Sequence, residues 1–282
     1  MPDSPEIVEW TPPRAPHRRR RFLIILAVLA AVFFGAQTVL SYYVEVLWFG
    51  SLGYASVFWK TLNLQWGVFA AFTLATFLIL YGSFLALKRA HLPDLPSGHT
   101  IFIGGKPLKL PVEPVLRVIA LVISLIIAAA TGAGMMEEWP SLALYWYSPS
   151  STGGVSVFDP IFGRPLNFFL FTLPAGQLIV GWLLTLAVII CVLAAFFVLI
   201  TGGSRAIAGR LSRAVILPWR GLSIAFSFLL LVLATRVYLD RFERLFEDHT
   251  IFGGVTYTDA HVMLTGMLVV SAAGWAASSA AW

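Results

Sequence analysis

The sequence predicts an all-α fold, a polytopic transmembrane bundle of about six spans with both termini in the cytoplasm. Three observations predict it. Hydrophobic residues make up 59% of the 282 residues and charged residues only 12%, whereas a soluble domain is about a quarter charged. The apolar residues form long continuous runs, and the basic residues collect between alternate runs. This composition excludes a soluble globular enzyme, and the single cysteine excludes a disulfide-rich secreted module.

Six apolar runs are long enough to cross a hydrocarbon core about 30 Å thick, which takes roughly 20 helical residues. Continuous runs favour helices, because the strands of a membrane barrel would alternate. The first run is longer than the core of a secretory signal and has no small-residue cleavage site after it, so it is predicted to be a retained helix. The runs are 22–40, 64–87, 115 or 118 to 134, 178–200, 221 to about 239, and 262–282.

The basic residues predict the orientation. Of the 19 Lys and Arg residues, 14 lie in the N-terminal tail or around the segments that follow the second and fourth runs. The positive-inside rule then places the N-terminus in the cytoplasm, and six crossings return the C-terminus there. The net charge of +5 is explained by topology and by contact with lipid headgroups, and no nucleic-acid partner is predicted.

The chain is predicted to divide into a disordered basic tail, 1–21, and a transmembrane helical domain, 22–282. The tail is rich in proline and polar residues, which is typical of disorder. The extracytoplasmic loops of the membrane domain are predicted at 41–63, 135–177 and 240–261.

Two cytoplasmic segments and one helix end have patterns of their own. A Gly-Gly pair at 104–105 predicts a small hairpin, although Pro107 argues against regular pairing on one side. Segment 201–220 predicts a short basic helix on anionic lipid. The fifth run is predicted to continue as a helix, with charged residues four apart, as in Arg236–Asp240 and Arg244–Asp248. An apolar stripe on this helix consists of Tyr238, Phe242 and Leu245.

The extracytoplasmic loops are rich in aromatic residues, whose amphipathic rings concentrate at membrane interfaces. Two interpretations stay open: an aromatic belt with short re-entrant or surface helices, or a docking surface for a partner helix, quinone, lipid or pigment. The last run repeats small residues every four positions, which lets helices approach closely, either within this bundle or from a further helix. The interface candidates are Trp48, Trp59, Trp139, Trp146, Phe168, Phe242, Ala273, Ala277 and Ala281.

No catalytic, cofactor or metal site is predicted. His91, Asp94 and His99 lie close in sequence, but their spacing matches no recognised metal motif. Asp259 and His261 would not face each other on a helix, so a cap or an interface pair is favoured over an acid–base dyad. The span interiors contain essentially no ionisable side chains, which argues against an ion pump. Their polar members include Gln37, Gln65 and Gln177.

Three stretches together resemble a known family. They are 47–54 with 57–59, 159–163 followed by 168–174, and 239–246 with 253–261. The chain is similar there to the N-terminal membrane region of the bacterial uncharacterised protein family UPF0182. The resemblance covers most of the chain from Tyr42 to His261. The resemblance implies about seven spans followed by a large extracytoplasmic domain, and no assigned activity. It also implies the bacterial cytoplasmic (inner) membrane as the location. The chain is therefore expected to be a truncated or split relative, or part of a longer product.

The predicted function is a non-enzymatic scaffold or accessory subunit of a larger bacterial membrane complex, of respiratory or photosynthetic type. Its predicted partners are the lipid bilayer and other membrane protein subunits. Two alternatives stay open. One is a transporter or lipid-handling protein with a polar path near Gln37, Gln65 and Gln177. The other is the membrane anchor of an enzyme whose extracytoplasmic domain lies outside this sequence.

Overall fold

The computed structural model describes residues 17–91, 100–103, 106–109, 112–148, 157–207, 219–249 and 252–280. These residues are helical apart from turns and two short antiparallel hairpins, which confirms the all-α class. The helices are α1 (His17–Ser51), α2 (Ala55–His91), α3 (Val112–Glu137), α4 (Trp139–Tyr147), α5 (Leu173–Ile207), α6 (Trp219–Glu243) and α7 (Leu264–Ala280). The hairpins pair β1 (Thr100–Ile103) with β2 (Lys106–Lys109) and β3 (Asp248–His249) with β4 (Phe252–Gly253).

Five helical stretches of the described chain are long and apolar enough to cross a membrane. They correspond to the second to sixth runs of the sequence. The first run lies in α1, which is one continuous helix. The membrane class is therefore supported, while the number of six spans and the cytoplasmic termini stay predictions. The five stretches are Ala55–Arg89, Pro114–Glu137, Phe168–Ile200, Arg220–Phe246 and Asp259–Ala280.

The helices extend into segments that the sequence assigns to the tail and the loops. α1 begins at His17 and so includes the last residues of the predicted tail, 1–21, and residues 1–16 lie outside the described part. α1 continues to Ser51 and α2 begins at Ala55, which reduces the predicted loop 41–63 to a three-residue turn. The physical reason is that a helix can continue past the membrane boundary until a residue ends it. Hydropathy locates only the membrane boundary.

The other two predicted loops, 135–177 and 240–261, also contain regular structure. The first holds α4 and a π turn, Phe168–Thr172. The second holds the end of α6, a 3₁₀ turn, the β3–β4 hairpin and a π turn, Asp259–Met263. Each π turn opens the helix that follows it, so α5 and α7 begin in the same way. In α5 the next residues include Pro174, whose ring clashes with the carbonyl four residues earlier in a regular helix, and a wider turn relieves that clash.

A glycine ends α1. Gly53 has φ +77°, a backbone conformation that only glycine adopts without strain. Its N–H donates to the Gly50 carbonyl at 3.1 Å, and the N–H of Tyr54 donates to the Phe49 carbonyl at 2.9 Å. This pair of bonds is the Schellman motif, which satisfies carbonyls at a helix end. The family-like stretch 47–54 is therefore a helix terminus and the turn into α2.

The chain forms two compact units, Met1–Asn63 and Leu64–Trp282. In the first unit Phe58 is buried, and its ring centroid lies 5.8 Å from that of Phe49 and 5.5 Å from that of Trp59. These contacts hold the start of α2 against the end of α1. The second unit contains most of α2 and all the later elements.

An apolar core holds together one end of the second unit, which we call the basic end. The core is formed by the end of α2, the later part of α5 and the start of α6. Partly buried residues from the start of α3 also pack there. Neighbouring helices thus alternate in direction, as the predicted topology requires. The buried members of this core are Phe84, Leu87, Ala194, Phe197 and Ala225. Basic residues on the adjoining helix ends are Lys88, Arg89, Arg117 and Arg220.

In the middle of the second unit, α2 packs closely on both α3 and α5. A Cβ added at Gly132 would overlap Thr73 Oγ1 and lie 3.0 Å from the carbonyl oxygen of Phe69. Only a glycine therefore fits at this crossing of α3 with α2. On the other side, Trp182 Nε1 of α5 donates a hydrogen bond to Thr76 Oγ1 at 3.0 Å. Together these contacts fix α2 between two helices.

The last helix packs on α6 through its small residues. A Cβ added at Gly274 would lie 2.8 Å from the Cβ of Ala234. Ser278 is buried, and its carbonyl accepts a hydrogen bond from Ser227 Oγ at 2.5 Å. The small-residue spacing of α7 thus serves packing within this chain on the face that carries Gly274 and Ser278.

Two of the predicted local features, the hairpin and the charged pairs of α6, are tested by the structure. The β1–β2 hairpin confirms the predicted one, and Pro107 lies opposite Phe102. Proline is tolerated because only alternate residues of an antiparallel pair bond to the partner, and the outer edges are free. The predicted ion pair Arg236–Asp240 is present at 3.8 Å.

Arg244 pairs with Glu247, three residues on, at 2.6 Å. The sequence predicts a partner four residues on, at Asp248. The difference arises because α6 has ended and residues 244–246 form a 3₁₀ turn, in which side chains three apart are aligned.

Several predictions fall outside the described residues. They are the Gly-Gly turn at 104–105, the predicted basic helix beyond Ile207, the side chains of Asp94 and His99, and the interface candidate Ala281.

Candidate functional site

An aromatic cluster holds the other end of the second unit, which we call the aromatic end. Phe242 of α6 is at its centre and is 2% exposed. Its ring centroid lies 4.8 Å from that of Phe162, 5.1 Å from Phe168 and 5.5 Å from Tyr238, with the rings tilted or edge-on. Such geometries are favourable for aromatic pairs. The predicted apolar stripe on α6 is therefore covered by the segment that leads into α5.

The family-like stretch 159–163 forms the turn that places Phe162 in this cluster. Asp159 Oδ2 accepts the backbone N–H of Ile161 at 3.1 Å and of Phe162 at 2.6 Å. Gly163 has φ +61°, and its N–H donates to the Asp159 carbonyl at 2.9 Å. The aspartate and the glycine thus have structural roles, because they fix a tight turn under the aromatic rings.

Arg241 adds a cation to the aromatic end. Its guanidinium carbon lies 5.0 Å from the ring centroids of Tyr238 and Phe242 and 5.3 Å from that of Phe162. Within the described chain its buried Nε has no hydrogen-bond partner, so the rings provide its main interaction. In the sequence, Arg241 is one of the five basic residues that lie outside the predicted cytoplasmic segments. The aromatic residues one and three positions away in the sequence were the available signal.

A groove of about 590 Å³ runs between α3 and α5 next to the aromatic end. Two of its hydroxyl groups are already used, since Thr131 donates to Ile127 O and Thr185 to Gly181 O in their own helices. Gln177 is different, because its buried Nε2 has no partner among the described residues. The groove is lined by Ala130, Thr131, Gly134, Met135, Gln177, Leu178, Gly181, Trp182 and Thr185.

A second, much smaller cleft lies on the other side of Gln177, between α5 and α6. It is lined by Gln177 together with Arg236 and Asp240. Arg236 Nη1 lies 3.8 Å from the position a Cβ would take on Gly181, which lines the groove. Gln177 thus separates an apolar groove from an ion pair. Of the three glutamines in the predicted polar path, only Gln177 lines either space in the described residues.

The interface candidates fall into three groups. Trp48, Trp59 and Trp146 are more than half exposed, with Trp146 at 80%, and Trp139 is half-buried at the start of α4. α4 has no buried residues, which fits the predicted surface helix in the aromatic belt. Phe168 and Phe242 belong to the aromatic end, so Phe242 packs within this chain and offers no free surface. Ala273 and Ala277 are exposed on α7.

Asp259 is a helix cap. Its Oδ2 accepts hydrogen bonds from Thr256 Oγ1 at 2.5 Å and Thr256 N at 3.2 Å, and its own N–H donates to Thr256 Oγ1 at 3.1 Å. This reciprocal pattern is a capping box. His261 stacks on Tyr257, with ring centroids 4.1 Å apart. Of the two favoured interpretations, a cap or an interface pair, these hydrogen bonds support the cap. No group of three metal-ligating side chains occurs in the residues the structure covers.

Loss of this cap has a defined expected cost. Asp259→Ala leaves Thr256 N–H and Oγ1 without an acceptor, so we expect the free energy of unfolding to fall by about 1 kcal/mol. Thr258→Ala is the matched control, since Thr258 makes only a 3.5 Å contact with Thr256. The measurement is the thermal unfolding midpoint of the detergent-solubilised chain. Equal midpoints for the two variants would show that the capping box does not stabilise the helix.

The fold and the site define a class: a polytopic helical membrane protein whose helices are held together at the aromatic end by packed aromatic rings. Residues 22–281 match the family described as Uncharacterised protein family (UPF0182). The chain belongs to this family, and the resemblance inferred from its motifs is confirmed.

Curated relatives of the same family are similar to this chain over most of its length. One from Geobacter sulfurreducens is 28% identical over 261 residues, which is 87% of this chain and 27% of the relative. One from Mycobacterium tuberculosis H37Rv is 29% identical over 265 residues, or 90% of this chain and 26% of the relative. The chain thus spans about a quarter of the length of the curated relatives it matches. No solved structure matches it.

Proposed function

We propose that this chain is an integral membrane scaffold or accessory subunit of a larger bacterial membrane complex, with no catalysis of its own. One observation carries the proposal. In the most apolar 18-residue segment of each of the five spanning stretches, only 11–22% of the residues are buried inside the chain. The helices therefore offer extensive apolar surface to lipid or to other membrane proteins. α7 has the lowest buried share, 11%.

The two faces of α7 support a docking role for this helix. Ser271, Gly274 and Ser278 face the chain's own bundle. Ala273 and Ala277 are exposed and lie four residues apart, so they form a small-residue face. Transmembrane helices associate through such faces because the backbones can approach closely without a hydrophobic driving force. We propose that a transmembrane helix of a partner subunit packs here.

The same proposal includes a location and an orientation. The helix ends at the basic end carry Lys88, Arg89, Arg117 and Arg220, and the positive-inside rule assigns such an end to the cytoplasm. We propose the bacterial cytoplasmic membrane, with the aromatic end on the extracytoplasmic side. In the longer relatives the corresponding region, about a quarter of the polypeptide, would then act as a membrane anchor for the remainder.

The docking face can be tested by native mass measured directly from lipid nanodiscs excised from the producing cells. The unaltered chain is expected in a species heavier than a monomer, and the pair Ala273→Leu with Ala277→Leu is expected to release it as a monomer. The matched control is Ala129→Leu with Ala133→Leu, an exposed pair at the same spacing on α3. A monomeric unaltered chain, or equal release by both double variants, would reject the proposal.

A further inference from the structure

Two of the four arginines at the aromatic end have no carboxylate partner in the described residues. Arg236 and Arg244 each form an ion pair with an acidic residue a few positions on, at 3.8 Å and 2.6 Å. Arg164 and Arg241 form no ion pair in the part of the chain that the structure describes. Two positive charges at this end are therefore available to an anion from outside the chain.

The aromatic rings hold both of these guanidinium groups in place. The guanidinium of Arg241 lies over three rings of the cluster. The guanidinium carbon of Arg164 lies 5.4 Å from the ring centroid of Phe168, and this ring contacts that of Phe242. The two cations thus rest on neighbouring rings of one cluster. Because they are already positioned, binding an anion costs less conformational entropy than it would for free arginine side chains.

Both guanidinium groups keep donors for a ligand. Nε of Arg241 is the one nitrogen of this side chain that is buried without a partner in the described residues, so its terminal nitrogens are accessible from outside. Arg164 is exposed, and its backbone carbonyl accepts the N–H of Asp159 at 2.9 Å, which fixes it at the end of the Asp159 turn. A guanidinium that rests on a ring presents its N–H edge, and this edge matches the oxygens of a phosphate.

The two cations lie at the level of the lipid phosphates. The fifth apolar run ends at about residue 239, and Arg241 follows two residues later, about 3 Å further along the helix axis. The headgroup layer on each side of the hydrocarbon core is about 5–7 Å thick, so Arg241 lies within it. Arg164 lies against Phe168, the first residue of the spanning stretch Phe168–Ile200. The anion that a bilayer offers at this depth is a lipid phosphate.

We propose that Arg164 and Arg241 form a binding site for the headgroup of one anionic phospholipid in the leaflet at the aromatic end. The lipid phosphate accepts hydrogen bonds from the terminal nitrogens of Arg241, and Arg164 adds electrostatic attraction from the neighbouring ring. A headgroup without an ammonium binds best, because the two cations repel a further positive charge. The site is independent of the docking face on α7.

The experiment is native mass spectrometry of the purified, delipidated 282-residue chain with phosphatidylglycerol or phosphatidylcholine added at equal concentration. One phosphatidylglycerol is expected to bind about tenfold more tightly than phosphatidylcholine, the effect of one charge-assisted interaction. A further sample contains phosphatidylglycerol and an equal concentration of inorganic phosphate, which is expected to leave the bound lipid in place.

The variants separate the unpaired arginines from the paired ones. Arg241→Gln is expected to reduce phosphatidylglycerol binding about tenfold and Arg164→Gln about threefold. Arg241→Lys keeps the charge but loses the planar fork, so its binding is expected to lie between those of Arg241→Gln and the unaltered chain. Arg244→Gln is the matched control, because it removes the same charge from the same end but from an arginine that already has a carboxylate partner. It is expected to change binding less than about twofold.

Three outcomes would overturn the proposal. Equal binding of the two lipids by the unaltered chain would favour a carboxylate of a partner protein as the missing anion. Displacement of the lipid by inorganic phosphate would assign the site to a free anion. Equal losses in Arg241→Gln and Arg244→Gln would show that only the total charge matters. If Arg241→Gln unfolds, Arg164→Gln decides the question, since Arg164 is exposed on a turn.

Discussion

Phe242→Ala is expected to lower the free energy of unfolding by about 3–5 kcal/mol, the range for removing a buried phenylalanine and leaving a cavity. The ring is 2% exposed and contacts the rings of Phe162, Phe168 and Tyr238. Its loss also removes one of the faces on which the Arg241 guanidinium rests. The aromatic end should therefore loosen before the rest of the second unit. Unfolding of the detergent-solubilised chain, followed by circular dichroism, measures the cost.

The control for this prediction is Phe246→Ala. Phe246 is 62% exposed and touches only the edge of the same cluster, with its ring centroid 6.0 Å from that of Phe169. Its substitution is expected to cost less than about 1 kcal/mol, in the range of surface changes. An equal loss of stability in both variants would show that burial of Phe242 in the aromatic cluster does not stabilise this end of the unit.

Gly132→Val is expected to be the next most damaging single change, with a cost of about 3 kcal/mol from overpacking. A Cβ at this position overlaps Thr73 Oγ1 and presses on the carbonyl oxygen of Phe69, and the backbone oxygen cannot move without bending α2. The separation of α2 from α3 should lower the thermal unfolding midpoint and raise proteolysis of the segment between them.

The same substitution at an open glycine provides the comparison. Gly82→Val places its side chain where nothing lies within 4 Å, so its effect should stay within about 0.5 kcal/mol. A partial rescue is also expected: Thr73→Ala combined with Gly132→Val should be less damaging than the sum of the two changes, because the overlapping hydroxyl is gone. If the free-energy changes of the two substitutions simply add, the strain does not arise from the contact between residue 132 and Thr73.

The fold class was predictable because a bilayer allows only helices or closed barrels, and continuous apolar runs, unlike alternating ones, indicate helices. Helix ends were predicted less well, for a specific reason. The end of the first run near Leu40 marks a change in polarity, but α1 continues to Ser51 because Gly53 is the first residue whose conformation ends it. The end of α1 is therefore indicated by a residue that tolerates positive φ, whereas hydropathy does not indicate it.

The candidate site was only partly predictable. Phe168 and Phe242 were selected from the sequence as aromatic residues near the boundary, yet nothing in the sequence pairs them with each other, and the Asp159 turn that adds Phe162 to the cluster was not anticipated. Gln177 was selected as a polar residue at a span end. Its unpaired amide and its groove are products of the spacing between α3 and α5, which no single-chain pattern encodes.

The π turns at the starts of α5 and α7 have a consequence for how these helices tolerate insertions and deletions. A π turn contains about one residue more than an α turn. Deleting one residue within Phe168–Thr172 would let the turn revert to regular geometry, and the residues downstream would keep their rotation about the helix axis. Gln177 would then still line the groove. A deletion in the regular part of α5 would instead rotate everything downstream by about 100°, the angle per residue of an α-helix.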